Sequence, residues 1–226
     1  MPAKTKKGQK TICVIFAISL FFLILTTSIG LPIYIRPFYY AHIAPLELVA
    51  ESGFSLEQIK TAYDSVLDYL TLPGKPFSVG DLACSADAQA HFADCKFLFD
   101  LNASVLVLSG CMVLMITLLR KRGKIGPLYL GKRSAAFWAA LCAIVLPVVL
   151  GSLAALDFDR AFVIFHSLFF PGKDNWYFSW NADQIIRILP QVFFRNCAIL
   201  IGAGVFLSSF AILITEKRRS AGRNTA

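Results

Sequence analysis

The sequence is short of the side chains on which most enzyme chemistry rests. It has three histidines, and it contains no C-x-x-C pair, no G-x-S-x-G elbow, no H-E-x-x-H motif and no P-loop. Thiol–disulfide exchange, serine hydrolysis by that elbow, zinc proteolysis and nucleotide hydrolysis therefore lack support. Acidic residues are scarce where basic ones gather. Fourteen of the 22 basic residues fall before residue 11, between residues 120 and 133, or after residue 216, and Glu216 is the one acidic residue beside them. The net charge of +8 comes from these three clusters, and the rest of the chain is acidic. No basic stripe interleaved with aromatics remains, so nucleic acid is not an expected partner.

Charge is also sparse over four apolar stretches, Thr11 to Tyr34, Phe97 to Leu119, Ala135 to Leu156 and Val192 to Thr215. Each is about 20 residues or longer, the length of a helix across a bilayer. An open strand in hydrocarbon would leave backbone groups unsatisfied at several kcal/mol each, so the spans are helical. The fold class is an all-α membrane protein with four transmembrane helices, read as a single integral membrane domain over residues 1–226. The basic clusters at Lys4–Lys10, Arg120–Arg133 and Lys217–Arg223 place both termini in the cytoplasm by the positive-inside rule. A bacterial cell membrane is the default location. The first span resembles a signal sequence, but it is too long and no A-x-A-like site follows it, so it reads as an uncleaved anchor.

What remains lies outside, in loops of about residues 36–96 and 157–191, which carry every histidine. They are expected to form an extracytoplasmic cap of interfacial helices. Ser55-Leu56-Glu57-Gln58 opens a helix with a capping serine, and Ile59, Tyr63, Val66, Leu67 and Leu70 follow at helical spacing until Leu72-Pro73-Gly74. Asp81 to Lys96 reads as a second helix running into the second span. The second loop packs Phe162, Phe165, Phe169, Phe170, Trp176, Tyr177, Phe178 and Trp180 around a Pro171–Asn175 turn signal. It is either an interfacial aromatic belt or a re-entrant element walling a lipid-facing pocket.

His91 and His166 each lie within a few residues of an outer membrane boundary. Imidazole accepts and donates protons near neutral pH, so two at one interface suit general acid and base work; the plainer alternative is that each caps a neighbour. His42 lacks comparable context and reads as an interfacial contact. Asp87, His91 and Cys95 share a helical face, but the outer two are about 12 Å apart along the axis, too far for one ion. No metal or other cofactor is expected. A Cys84–Cys95 disulfide requires Cys84 to sit ahead of the helix. Asp100 in the second span and Arg195 in the fourth suggest either a buried ion pair or a polar cleft.

The segments Ala90-His91-Phe92-Ala93-Asp94-Cys95-Lys96, Phe165-His166-Ser167-Leu168-Phe169-Phe170, Asn175-Trp176-Tyr177-Phe178, Asp183 and Ile188-Leu189-Pro190-Gln191-Val192-Phe193-Phe194 together resemble the lipoprotein intramolecular transacylase (Lit) family of Gram-positive bacteria. Cys95 stands where that resemblance implies an aliphatic residue. The resemblance implies an acyltransferase acting on diacylated bacterial lipoproteins within membrane lipid. It would move the sn-2 acyl chain of the diacylglyceryl-cysteine to the cysteine α-amine, at the outer membrane surface. The α-amine has a pKa of about 8 and belongs to the same molecule as the ester, so no serine or cysteine nucleophile is needed. His91 and His166 are the expected acid and base, or one of them a transient acyl carrier. Arg36, Lys96, Arg187 and Arg195 are the candidates to bind substrate or the oxyanion, and Asp94, Asp183, Trp176 and Asn175 the candidates to support the histidines. The competing reading is a non-enzymatic transporter subunit or assembly factor whose aromatic loop grips a partner.

Overall fold

The computed structural model describes residues 6–224. Lys4, and the side chains of Lys6, Arg219 and Arg223, lie outside the described residues. The chain runs α1 (Lys6–Tyr34), α2 (Arg36–Ile43), α3 (Leu48–Ser52), α4 (Leu56–Thr71), α5 (Ala86–Lys121), β1 (Tyr129–Leu130), β2 (Arg133–Ser134), α6 (Ala135–Leu156), α7 (Phe158–Phe169), a 3-10 turn (Gln184–Arg187) and α8 (Gln191–Asn224). Among the described residues, α1, α5, α6 and α8 are long and apolar enough to cross a membrane. Their apolar side chains point outward: Val107, Leu108, Ile199 and Leu207 are 63–73% exposed. Water would penalise that surface, whereas lipid tails accept it.

The described residues divide into two compact units. The first holds the chain up to Ile29, Ala103–Ser152 and the chain from Ile201. Its core gathers Cys13, Phe16, Ile116, Ile125, Leu128 and Ala135. Both ends of the Gln9 amide grip the loop after α5: Nε2 donates to the Pro127 carbonyl at 3.0 Å, and Oε1 accepts from the Gly126 amide at 3.2 Å. The β1–β2 hairpin then turns at Gly131, whose φ of +66° suits glycine. No strand was expected in this basic segment.

The second unit, Gly30–Asn102 with Leu153–Leu200, carries both histidine candidates. Its core is built on α4. Ser55 and Gln58 form the expected capping box, with Ser55 Oγ accepting from the Gln58 amide at 3.2 Å and Gln58 Oε1 accepting from the Ser55 amide at 2.9 Å. Ile59, Ala62, Tyr63, Val66, Leu67 and Leu70 make the buried face. Tyr63 stacks on Tyr39 of α2 at 3.7 Å, and Tyr39 donates its hydroxyl to the Ile188 carbonyl at 2.9 Å. Burial holds both phenols well above their usual range, so both stay neutral hydrogen-bonding groups.

The segment ahead of α5 departs from expectation. Asp81–Ser85 is not helical, because its backbone pairs elsewhere. The Ala83 amide donates to Gln184 Oε1 at 2.8 Å, the Gln184 amide donates to the Ala83 carbonyl at 3.0 Å, and the Ser85 amide donates to Asp183 at 2.8 Å. Ser85 then caps α5, its hydroxyl accepting from the Ala88 amide at 3.1 Å. The first loop therefore holds three short helices before α5 instead of one helix, a turn and an early second helix. Cys84 does sit ahead of α5, yet Cys84 and Cys95 are both free thiols. Asp100 and Arg195 are exposed, and no ion pair joins them among the described residues.

Candidate active site

His91 lies in the second turn of α5, and His166 lies on α7. Asp157 caps α7 by accepting from the Arg160 amide at 2.9 Å, and Gln191 at the start of α8 donates to Asp159 in the first turn of α7 at 2.7 Å. So fixed, α7 buries one residue, His166, and leaves Ile164, Phe165, Leu168 and Phe169 exposed. The two imidazoles face each other at 5.7 Å between ring centres, inclined by 31°, and each is 7% exposed.

Aromatic rings enclose the pair. Phe170 lies 4.8 Å from His91 and 5.8 Å from His166, Phe178 lies 5.5 Å from His91, and Phe162 lies 4.2 Å from His166. Trp176 stacks on His166 at 4.5 Å and 26°. The aromatic loop is thus divided: one set of rings walls the imidazoles, while Tyr177 and Trp180 are more than half exposed.

Each imidazole has one nitrogen committed. His166 Nδ1 lies 2.8 Å from the Phe162 carbonyl, which can only accept, so Nδ1 carries the proton and Nε2 keeps its lone pair. Burial lowers the pKa of His166 below the ordinary imidazole value, and the Phe162 carbonyl only partly offsets that. His91 Nε2 lies 3.4 Å from the Cys95 sulfur. His91 Nδ1 is buried without a hydrogen-bond partner, as is Asn175 Oδ1.

A polar latch closes the site from the loop side. Asp94, one turn after His91, is ion-paired with Lys173 and accepts from Asn175 Nδ2 at 3.1 Å. Trp176 Nε1 donates back to the Lys173 carbonyl at 3.0 Å. The turn at Pro171–Asn175 is in this way pinned to α5.

The other expected residues lie apart from the pair. Arg36 is ion-paired with Asp64 at 3.0 Å and with Asp68. Lys96 donates to the carbonyls of Tyr69 at 2.7 Å and Leu72 at 3.4 Å, completing the C-terminal end of α4. Arg187 donates to the Trp180 carbonyl at 3.0 Å and lies 5.3 Å over that indole. Arg195 is exposed on α8. Asp183 is buried and braces backbone instead of a ring, accepting from the amides of Ser85 and Ser179 at 2.8 and 2.9 Å. Burial opposes its charge, but the Ser85 hydroxyl and these two amides hold its carboxyl below the usual range. His42 is half-buried between Phe38 and Phe193, with Nδ1 2.6 Å from the Phe38 carbonyl.

The sequence pattern of the lipoprotein intramolecular transacylase Lit family matches residues 14–194. The chain belongs to this family. It is accordingly a membrane-integral acyltransferase, a lipoprotein intramolecular transacylase. No curated protein matches it. Among solved structures, the membrane-integral lipoprotein intramolecular transacylase Lit from Bacillus cereus is 21% identical, with a TM-score of 0.86 over 97% of this chain and 99% of that one. Two variants of that protein, one with a histidine replaced by alanine and one with it replaced by arginine, superpose with TM-scores of 0.80 and 0.79 at the same identity. They cover 97% of this chain and 97% and 95% of theirs. The likeness establishes a shared fold.

Sequence reasoning passed over Lys173 and the thiol of Cys95 as parts of the site, and named Phe170 and Phe178 only among the rings of the aromatic loop. The Pro171–Asn175 turn signal pointed to a bend, and a bend between two site segments is a place to look for a latch. Nothing in the spacing connects Lys173 to Asp94.

Proposed function

We propose that the chain moves the sn-2 acyl chain of a diacylglyceryl-cysteine lipoprotein from the glycerol oxygen to the cysteine α-amine, leaving an N-acyl lyso-form lipoprotein. The reaction is placed at the outer surface of a bacterial cell membrane, in contact with membrane lipid. The charge asymmetry of the chain supports this side, since the acidic loops that carry the histidines would then lie opposite the basic clusters.

The observation that carries the reading is the enclosed imidazole pair, 5.7 Å between ring centres. The chemistry has two protons to move, and two imidazoles can take one each. An α-ammonium that becomes a secondary amide sheds two protons: one ends on the departing glycerol oxygen and the other is released. In the proposed sequence His91 takes the first proton from the ammonium and frees the amine to attack the ester carbonyl. His166, with its Nε2 lone pair available, takes the second from the tetrahedral intermediate. His91 then returns its proton to the glycerol oxygen as the C–O bond breaks, and His166 releases its proton to solvent. Lys173, tied to Asp94 beside the pair, is assigned to the oxyanion, and its ammonium has donors beyond those Asp94 uses. Because ester and amine belong to one molecule, holding them together supplies much of the acceleration. The surrounding phenylalanines exclude water that would hydrolyse the ester instead.

The test is mass spectrometry of a diacylglyceryl lipoprotein peptide in liposomes with the purified chain. Native protein is expected to convert it to the N-acyl lyso form, and His91→Ala and His166→Ala each to lose that conversion. Full conversion by both variants would defeat the proposal.

A further inference from the structure

Cys95 follows His91 by four residues on α5, the spacing that stacks two side chains on one helical face. Its sulfur lies 3.4 Å from Nε2, an ordinary separation for a hydrogen bond involving sulfur. Across the ring a second observation bears on the same question. His91 Nδ1 and Asn175 Oδ1 are both buried without a hydrogen-bond partner, the two side chains are neighbours, and the Asn175 amide nitrogen is committed to Asp94. An acceptor oxygen can satisfy Nδ1 only if Nδ1 carries the hydrogen. That tautomer leaves a lone pair on Nε2, and the atom facing that lone pair is the Cys95 thiol.

We infer that Cys95 is a positioning residue for His91: its S–H donates to Nε2, holds the ring in the Nδ1–H tautomer directed at Asn175, and keeps the reactive nitrogen occupied by a donor weak enough for substrate to displace. A valine or leucine at this position would pack equally well but leave Nε2 without a partner. A hydroxyl would bind it more firmly. A thiol lies between these, being a weak donor.

The inference rests on the assignment of His91 as a proton carrier, but its test does not. A donor to Nε2 stabilises the neutral ring alone, because the imidazolium has no lone pair there to accept it. Removing the donor must therefore raise the proton affinity of His91. The other groups that face His91 are Asp94 on its own helix, His166 on α7, and Lys173 and Asn175 in the turn after α7; all are retained when Cys95 alone is changed.

The experiment uses the full chain without substrate and measures deuterium exchange at the histidine C2–H by mass spectrometry across pH, with His91, His166 and His42 read in separate peptides. In Cys95→Val the His91 midpoint is expected to rise by about half a pH unit or more, the size of one weak hydrogen bond. In Cys95→Ser it should stay at or below the native midpoint. His42, which packs on Phe38 and Phe193 and does not touch Cys95, serves as the control that the fold is kept. Cys95→Ala repeats the measurement should the valine variant fail to fold. A His91 midpoint at or below the native value in the variants that lack a donor, or an equal rise in Cys95→Ser, overturns the inference. Acyl transfer is not read here, so an error in the proposed function shows up separately, as retained conversion in His91→Ala.

Discussion

Asp94 accepts a hydrogen bond from Asn175 across 81 residues of sequence, and through it the turn after α7 is fastened one helical turn from His91. The same carboxylate is paired with Lys173. Both contacts are partly solvated, with side chains 24% exposed on Asp94 and 47% on Lys173, so the ion pair contributes no more than about 1 kcal/mol to stability. Its larger effect is on geometry. Asp94→Ala is expected to lower acyl-transfer efficiency by about a hundredfold, the scale of a misplaced catalytic group. Its melting temperature in detergent should move by only a few degrees. A stability loss without an activity loss would show that the latch is merely structural.

In the proposed reaction His166 is the group expected to set the acidic limit. It must be neutral to accept a proton, and burial lowers its pKa, so a larger share of it is neutral at any given mildly acidic pH than of an imidazole in water. The acid limb of the conversion rate should therefore fall below the ordinary imidazole pKa of about 6.5. Replacing Phe162 by Ala admits water to the ring and reduces the desolvation. It should move that limb upward, toward the ordinary value, in the same liposome assay.

The parts of this molecule that were legible in the sequence are those governed by local rules. The spans follow from the length of an apolar run, and Ala135–Leu156 has the same bounds in the sequence reading and in α6. Ser55 and Gln58 announce α4 because a capping box is closed within four residues. Asp81–Ser85 misled for the opposite reason: nothing nearby forbids a helix, and it is held extended by Gln184 and Asp183, about a hundred residues later. The two histidines were legible as candidates, but not the approach of their rings to 5.7 Å. The four cationic candidates were chosen by charge and placement alone, and charge does not reveal that Arg36 is already neutralised by Asp64 and Asp68 or that Lys96 ends a helix.

Asp183 is expected to matter for stability and little for chemistry. Both oxygens of the buried Asp183 accept from part-buried backbone amides, and losing such a partner costs about 1–3 kcal/mol. Asp183→Ala should destabilise the second unit by roughly 2–4 kcal/mol on that scale, seen as a lower denaturation midpoint. Asp183→Asn, which keeps one acceptor, should fall between. The sign of the pH dependence follows from its lowered pKa. The stabilisation is present above the unfolded carboxylate pKa of about 4 and is lost as pH falls through the lower folded value. In Asp183→Ala that acid-dependent loss should shrink.

Removing the expected cations separates positioning from chemistry. Loss of a genuine oxyanion donor lowers turnover by about a hundredfold to a thousandfold. Arg36, Lys96 and Arg187 are each bound to carboxylates or carbonyls away from the imidazoles, so Arg36→Gln, Lys96→Gln and Arg187→Gln should each keep conversion within about tenfold of native, well short of that scale. Lys173→Gln, by contrast, removes the ammonium beside Asp94 and should fall into the larger range. The comparison is made at saturating substrate, with folding checked by thermal melting. Arg36→Gln should be the least stable of the three distant variants, because it leaves Asp64 and Asp68 facing each other without a counter-ion. A hundredfold loss in any of those three with a native melting temperature would return that residue to the reaction centre.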